Sequence, residues 1–194
     1  MRHTFSFFLL MAVLLIAAGC AGNHELIKAA GIGTRQGVFQ EISPDAAPMP
    51  GYADLRIYSS LKTHLPGAYT VKDIHGTAAF RIMVDIDGQT TELQGDPRRE
   101  NSEARMARDP EAGDGMRYRF SKSIRIKAGT HRVLIVIPSD GIAQEQEITL
   151  TERSRNSLNL EPVYDATAGK KRIGSYGETS FKRGIRGFRM VLNG

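Results

Sequence analysis

The chain has 194 residues, with 26 Lys and Arg against 21 Asp and Glu, a formal net charge of +5, one cysteine and no tryptophan. A single cysteine excludes an internal disulfide and a multi-thiolate metal centre, so stability must rest on an ordinary core. Low aromatic content argues against a deep aromatic-lined groove, and the modest positive excess permits anionic surfaces as partners without demanding nucleic acid.

Arg2 and His3 precede a run of apolar and small residues, Phe5 to Ala18, broken only by Ser6 and closed by Ala17-Ala18-Gly19-Cys20. A basic start, an apolar stretch and small residues at a cut read as a secretory signal peptide over residues 1–19, too short to span a bilayer comfortably. A cysteine directly behind small residues resembles the bacterial lipobox, whose thiol is acylated before cleavage; Ala17 stands where the pattern more often has Leu or Val. The resemblance implies lipid attachment at Cys20 through three acyl chains, where a single chain would hold a protein only marginally. With Ala21 rather than Asp behind the cysteine, it also implies an outer-membrane lipoprotein facing the periplasm. Maturation would leave 175 residues with a formal charge of +4.

Residues 20–52 read as a lipidated start and tether. Pro44, Pro48 and Pro50 hold the chain extended, while Val38, Phe39 and Ile42 form an apolar patch able to dock. From Ala53 the pattern changes to period two. Leu55 and Ile57 alternate with Arg56 and Tyr58; Phe80, Ile82, Val84 and Ile86 with Arg81, Met83 and Asp85; Tyr118, Phe120, Ile124 and Ile126 with basic neighbours. This is the pattern of half-buried antiparallel strands. His131 to Ile137 is apolar on both faces after Arg132, which places it centrally in a sheet. Further strands are predicted at 144–150, 157–163 and 185–192. Asp87-Gly88 and Ala128-Gly129 supply tight turns, and residues 153–156 a third link. Residues 53–194 are therefore expected to form one all-β antiparallel sandwich of immunoglobulin- or transthyretin-like type. Its interruption is a charged insertion, 94–116, too polar for a core, with two turns of exposed helix predicted over Ser102–Arg108.

From Val84 to Pro162, the elements Asp87-Gly88, Ile124–Ile126, Ala128-Gly129-Thr130-His131-Arg132-Val133, Asp140-Gly141, Ile148-Thr149-Leu150 and Leu158-Asn159-Leu160-Glu161-Pro162 resemble PEGA-type repeats. These are small β-sandwich modules of bacterial envelope proteins. The resemblance implies binding or spacing of other molecules and brings no catalytic residues.

The chemistry-bearing candidates are few. Lys72-Asp73-Ile74-His75-Gly76 sets an acid two residues from a histidine, as a base and its orienter would stand, without a Gly-x-Ser-x-Gly nucleophile. His131 reads as a partly buried histidine at a strand start, and Asp85-Ile86-Asp87-Gly88 as a hairpin rather than a calcium loop. Lys170, Lys171, Arg172, Lys182 and Arg183 crowd a Gly-rich basic segment able to approach phosphates or carboxylates. The expectation is a non-enzymatic, membrane-anchored envelope module with a structural, spacer or adaptor role. It needs no cofactor or metal, has no nucleic acid partner, and meets an envelope protein or an anionic envelope polymer. The alternatives are a subunit of a larger export or surface-appendage assembly that pairs by strand addition, and an envelope hydrolase built around His75.

Overall fold

The computed structural model describes residues 35–68, 70–104, 109–165 and 180–194, so Cys20, Lys170, Lys171 and Arg172 lie outside the described residues. The fold is an all-β sandwich. In chain order its strands are β1 Phe39–Glu41, β2 Tyr52–Thr63, β3 Arg81–Ile86, β4 Gln89–Gln94, β5 Arg98–Ser102, β6 Gly113–Lys127, β7 Gly129–Ile137, β8 Ile142–Leu150, β9 Arg155–Tyr164 and β10 Ile185–Asn193. Two short 3-10 turns, Pro138–Asp140 and Phe181–Arg183, are the only helical elements among the described residues.

One sheet runs β1-β6-β2-β9-β10, with β5 paired to the far end of β6; the second runs β4-β3-β7-β8. The alternating residues do what their period demands. Leu55, Ile57, Tyr118, Phe120, Ile124 and Ile126 are buried from the first sheet, and Ile82, Val84, Ile86, Val133, Ile135 and Ile137 from the second. They form one continuous core. β7 lies between β3 and β8, as a strand apolar on both faces should. Its outward Leu134 and Val136 pack against Met83 and Ala143. The Asp87-Gly88 hairpin joins β3 to β4 with both residues at positive φ, 50° and 92°. Asp85 accepts from the Gly88 amide at 3.0 Å and from the Thr90 hydroxyl at 2.9 Å and so serves the turn itself, while Asp87 accepts from the Arg132 amide of β7 at 2.9 Å.

One feature meets the sequence reading and two depart from it. The apolar patch at 38–42 does dock. Phe39 is buried and β1 pairs with Glu41 opposite Ile124, so the first sheet takes in part of the tether. The Pro-containing stretch behind it is held down by Arg125, which bonds the Ala47 carbonyl at 2.5 Å, and by Arg155 on the Ala46 carbonyl at 3.0 Å. Second, the charged insertion is not wholly a loop: Arg98–Ser102 form a strand on β6, and Gly113–Met116 begin β6 itself. Ion pairs across that ladder, Arg99–Asp114 at 2.6 Å and Arg117–Glu100 at 2.9 Å, take the place of apolar side chains. Third, β9 runs parallel to β2 from Asp54/Arg155 to Ser59/Leu160, after the chain crosses from the second sheet to the first. The parallel ladder stops two residues before Pro162, which has no amide hydrogen to give.

Register gives the sandwich two distinct ends. At one, Tyr52 stands opposite Lys127 and β1 pairs with Ile124–Ile126, so the chain enters there; this is the near pole. At the other, Thr63 stands opposite Met116, and Ile137 opposite Ile142; this is the far pole.

Candidate functional site

β2 ends at Thr63 on the far pole, and the chain then makes a run of turns before β3 begins. His64 follows the strand directly. Asp73 and His75 lie on the turns, where the His75 amide donates to Asp73 Oδ1 at 3.0 Å. The two segments touch because position 76 is glycine. Its φ is +76°, and a Cβ there would stand 2.6 Å from the Pro66 nitrogen and 2.9 Å from the His64 carbonyl oxygen. The side chains then converge. His75 Nδ1 is 2.6 Å from Asp73 Oδ1, and His64 Nε2 is 3.2 Å from Asp73 Oδ2. Asp140, in the 3-10 turn between β7 and β8, closes the cluster at 3.0 Å from His75 Nε2. The outer nitrogen of His64, Nδ1, bonds the Leu65 carbonyl at 3.0 Å. These four side chains are largely buried, between 9 and 17% exposed.

A ladder of rings ties the cluster to the core. His64 and His75 lie with centroids 5.0 Å apart, His75 and Phe80 5.0 Å, Phe80 and Tyr118 5.2 Å, and Tyr118 stacks on Phe120 at 5.7 Å. The Tyr118 hydroxyl donates to the Thr77 carbonyl at 2.7 Å, and burial pushes its pKa up to about 12. Burial by itself would lower the pKa of His75, but hydrogen bonds and charge from Asp140 and Asp73 outweigh it, and the net shift is upward. Burial would likewise raise Asp73; the His75 amide and ring and the His64 charge hold it below its ordinary value. The ring thus has a carboxylate within hydrogen-bond reach of each nitrogen, Asp73 at 2.6 Å from Nδ1 and Asp140 at 3.0 Å from Nε2. As arranged, His75 clamps the turn that carries Asp73 to the turn that carries Asp140.

A second polar cluster lies on the same pole. The Lys62 side chain is fully buried, and its Nζ donates to Ser102 Oγ at 2.9 Å, the Glu111 carbonyl at 2.9 Å and the Gly113 carbonyl at 2.5 Å, 4.9 Å above the Phe181 ring. Loss of water lowers its pKa. Arg117 pairs with Glu100 at 2.9 Å and Glu111 at 2.7 Å, and the Tyr164 hydroxyl bonds Glu111. The charged run after Gln94 is thus stitched to β2 and β6.

Of the basic residues singled out by sequence, Lys182 and Arg183 lie exposed in the 3-10 turn behind Ser180, at the far pole; Phe181, which opens that turn, is buried in the core. Asp165 and Ser180, which flank the rest of that segment, are joined by a backbone bond of 3.0 Å. His131 is buried, with Nδ1 2.7 Å from Asp87 and Nε2 2.8 Å from the Lys127 carbonyl, and it fixes the hairpin at the near pole. Sequence reasoning found the Asp73–His75 pair but not His64 or Asp140. Asp140 was visible only as an Asp-Gly turn, and nothing in a one-dimensional reading brings it to a histidine 65 positions away. Comparison with protein-family models, with curated proteins and with solved structures finds no match for this chain.

Proposed function

We propose that this chain is a non-enzymatic, membrane-anchored envelope lipoprotein that presents a loop-built recognition surface to another envelope component. One observation carries the reading. The His64–Asp73–His75–Asp140 cluster, the charged stretch after Gln94 and the flanks of the basic segment share the far pole, whereas the chain approaches from the near one. A strand of 12 residues such as β2 is about 40 Å long. A lipid on Cys20 would therefore hold the far pole away from its own bilayer and toward whatever lies across the periplasm.

The charge suits a protein or an anionic envelope polymer as partner. Lys182 and Arg183 stand exposed, and Lys170, Lys171 and Arg172 belong in sequence to the stretch whose described flanks, Asp165 and Ser180, are joined beside them. Binding and spacing are also what the PEGA-type sandwiches do that residues 84–162 resemble. The doubly engaged His75 ring speaks against the hydrolase alternative, which needs a free nitrogen.

Two measurements in cells test the proposal. Cys20→Ser should abolish palmitate labelling and release the protein from the membrane fraction; undiminished labelling would overturn the anchor. A photo-crosslinking side chain placed at the exposed Val71 of the far pole should capture a partner, and one at the exposed Arg153 of the near pole should not. Capture from Arg153 alone, or equally from both, would overturn the assignment of the recognition surface.

A further inference from the structure

We propose that His64, Asp73 and His75 form a binding site for a divalent transition-metal ion of the zinc class. Each residue offers one ligand atom, and the three atoms lie within 4.8 Å of one another. Two imidazoles and a carboxylate are the donor set such ions prefer, and ligand atoms around a tetrahedral zinc stand about 3.3 Å apart. His64 Nε2 and Asp73 Oδ2 are 3.2 Å apart.

The outer contacts carry the inference further than the three ligands do. A metal-bound histidine donates its other ring N–H to a carbonyl or carboxylate, which fixes the tautomer and aims the lone pair inward. Both rings meet that requirement. His64 Nδ1 faces the Leu65 carbonyl at 3.0 Å, which can only accept, so His64 presents Nε2 to Asp73. His75 Nε2 faces Asp140 at 3.0 Å, so Nδ1 is the nitrogen left for the metal. Without metal that nitrogen donates to Asp73 Oδ1 at 2.6 Å; on binding, the metal takes the place of its proton, which leaves to solvent, and the contact opens slightly.

Charge agrees with geometry. Asp73 and Asp140 bring two negative charges to two neutral imidazoles, which a divalent ion neutralises. Gly76 and the Thr77 hydroxyl, bonded to the Ile74 carbonyl at 2.7 Å, hold the turn that carries two of the ligands. Three protein ligands leave a tetrahedral ion one open position, for water or for a donor from a docking partner. This inference stands independently of the anchor at Cys20.

The test uses the full chain, solubilised in detergent and purified without a histidine tag, titrated with Zn2+ alone and followed by calorimetry. The expected result is one ion per chain with micromolar or tighter affinity and a rise in Tm with zinc concentration. His64→Gln and His75→Gln should abolish that binding. Asp140→Asn should weaken it about 10- to 100-fold as an outer-contact residue. His131→Gln should leave it unchanged. Co2+ added to the unsubstituted chain needs no variant to fold, and should give the intense visible bands of a four-coordinate site. Absence of one-to-one zinc binding, retention of it by both histidine variants, or the pale spectrum of six-coordinate cobalt would each overturn the assignment.

Discussion

Gly76 and Gly141 form a matched pair in which backbone strain and steric clash separate cleanly. Both sit at left-handed φ, +76° and +64°, on turns that carry members of the His–Asp cluster or adjoin one. A Cβ at Gly141 meets nothing within 4 Å, whereas one at Gly76 would stand 2.6 Å from the Pro66 nitrogen and 2.9 Å from the His64 carbonyl oxygen. Alanine at Gly141 should therefore cost the left-handed penalty alone, about 1 kcal/mol. Alanine at Gly76 carries the same penalty plus overpacking of roughly 1–3 kcal/mol, because the obstructing atoms are backbone and cannot swing aside. The expected total at Gly76 is about 2–4 kcal/mol. With a urea slope of about 2 kcal/mol per molar, the unfolding midpoint should fall by about 1–2 M for Gly76→Ala and about 0.5 M for Gly141→Ala. Equal midpoints for the two variants, at unchanged slope, would refute the claim that close approach rather than φ fixes glycine at position 76.

Lys62→Met keeps the volume of the buried side chain but takes the Lys62 donor from the Gly113 carbonyl and the Ser102 oxygen, and leaves the Glu111 carbonyl with the Ser102 hydroxyl alone. Urea unfolding should show a loss of about 3 kcal/mol, the cost of breaking a buried charged network by removing one partner. Asp87 governs acid stability at the near pole. Burial would raise its pKa, but the His131 ring and the Arg132 amide and charge outweigh that and hold it below the ordinary carboxylate value. A depressed folded-state pKa contributes stability that is present above the unfolded value near 4 and lost as pH falls through the folded one. Thermal unfolding followed from pH 7 to pH 2 should accordingly show a shallower acid limb for Asp87→Asn than for the unsubstituted chain.

What the sequence disclosed follows from where side chains touch the core. Phe80 to Ile86 and Tyr118 to Ile126 alternate because one face of each strand is buried, so period two is written into them. Arg98–Ser102 carries no such signal. It pairs with β6 beyond the edge of the core, where backbone bonds and the Arg99–Asp114 and Arg117–Glu100 pairs suffice, and its composition reads as loop. The parallel pairing of β9 with β2 was hidden for a similar reason, since alternation reports which face is buried and not which neighbour lies alongside. The Asp73–His75 pair was legible because its geometry is local. His64 and Asp140 join it only through the convergence of three separate turns.

The short β1 has a mechanical consequence. Tension reaching the domain through its N-terminal segment loads β1 first, along its own axis, against three residue pairs with β6, the buried Phe39 ring and the Gln89 amide that grips the Val38 and Phe39 nitrogens. β2 behind it is clamped by 12 residue pairs to β6 and a further six to β9. The first element to shear is therefore the weakest. Once the Arg125 and Arg155 bonds to the Ala47 and Ala46 carbonyls have also given way, its release would pay out residues 39–51 as about 45 Å of chain, at about 3.4 Å per extended residue, before β2 is loaded. β1 is a fuse in series with the core: a stretched chain would lengthen at its root while the loops of the far pole kept their shape.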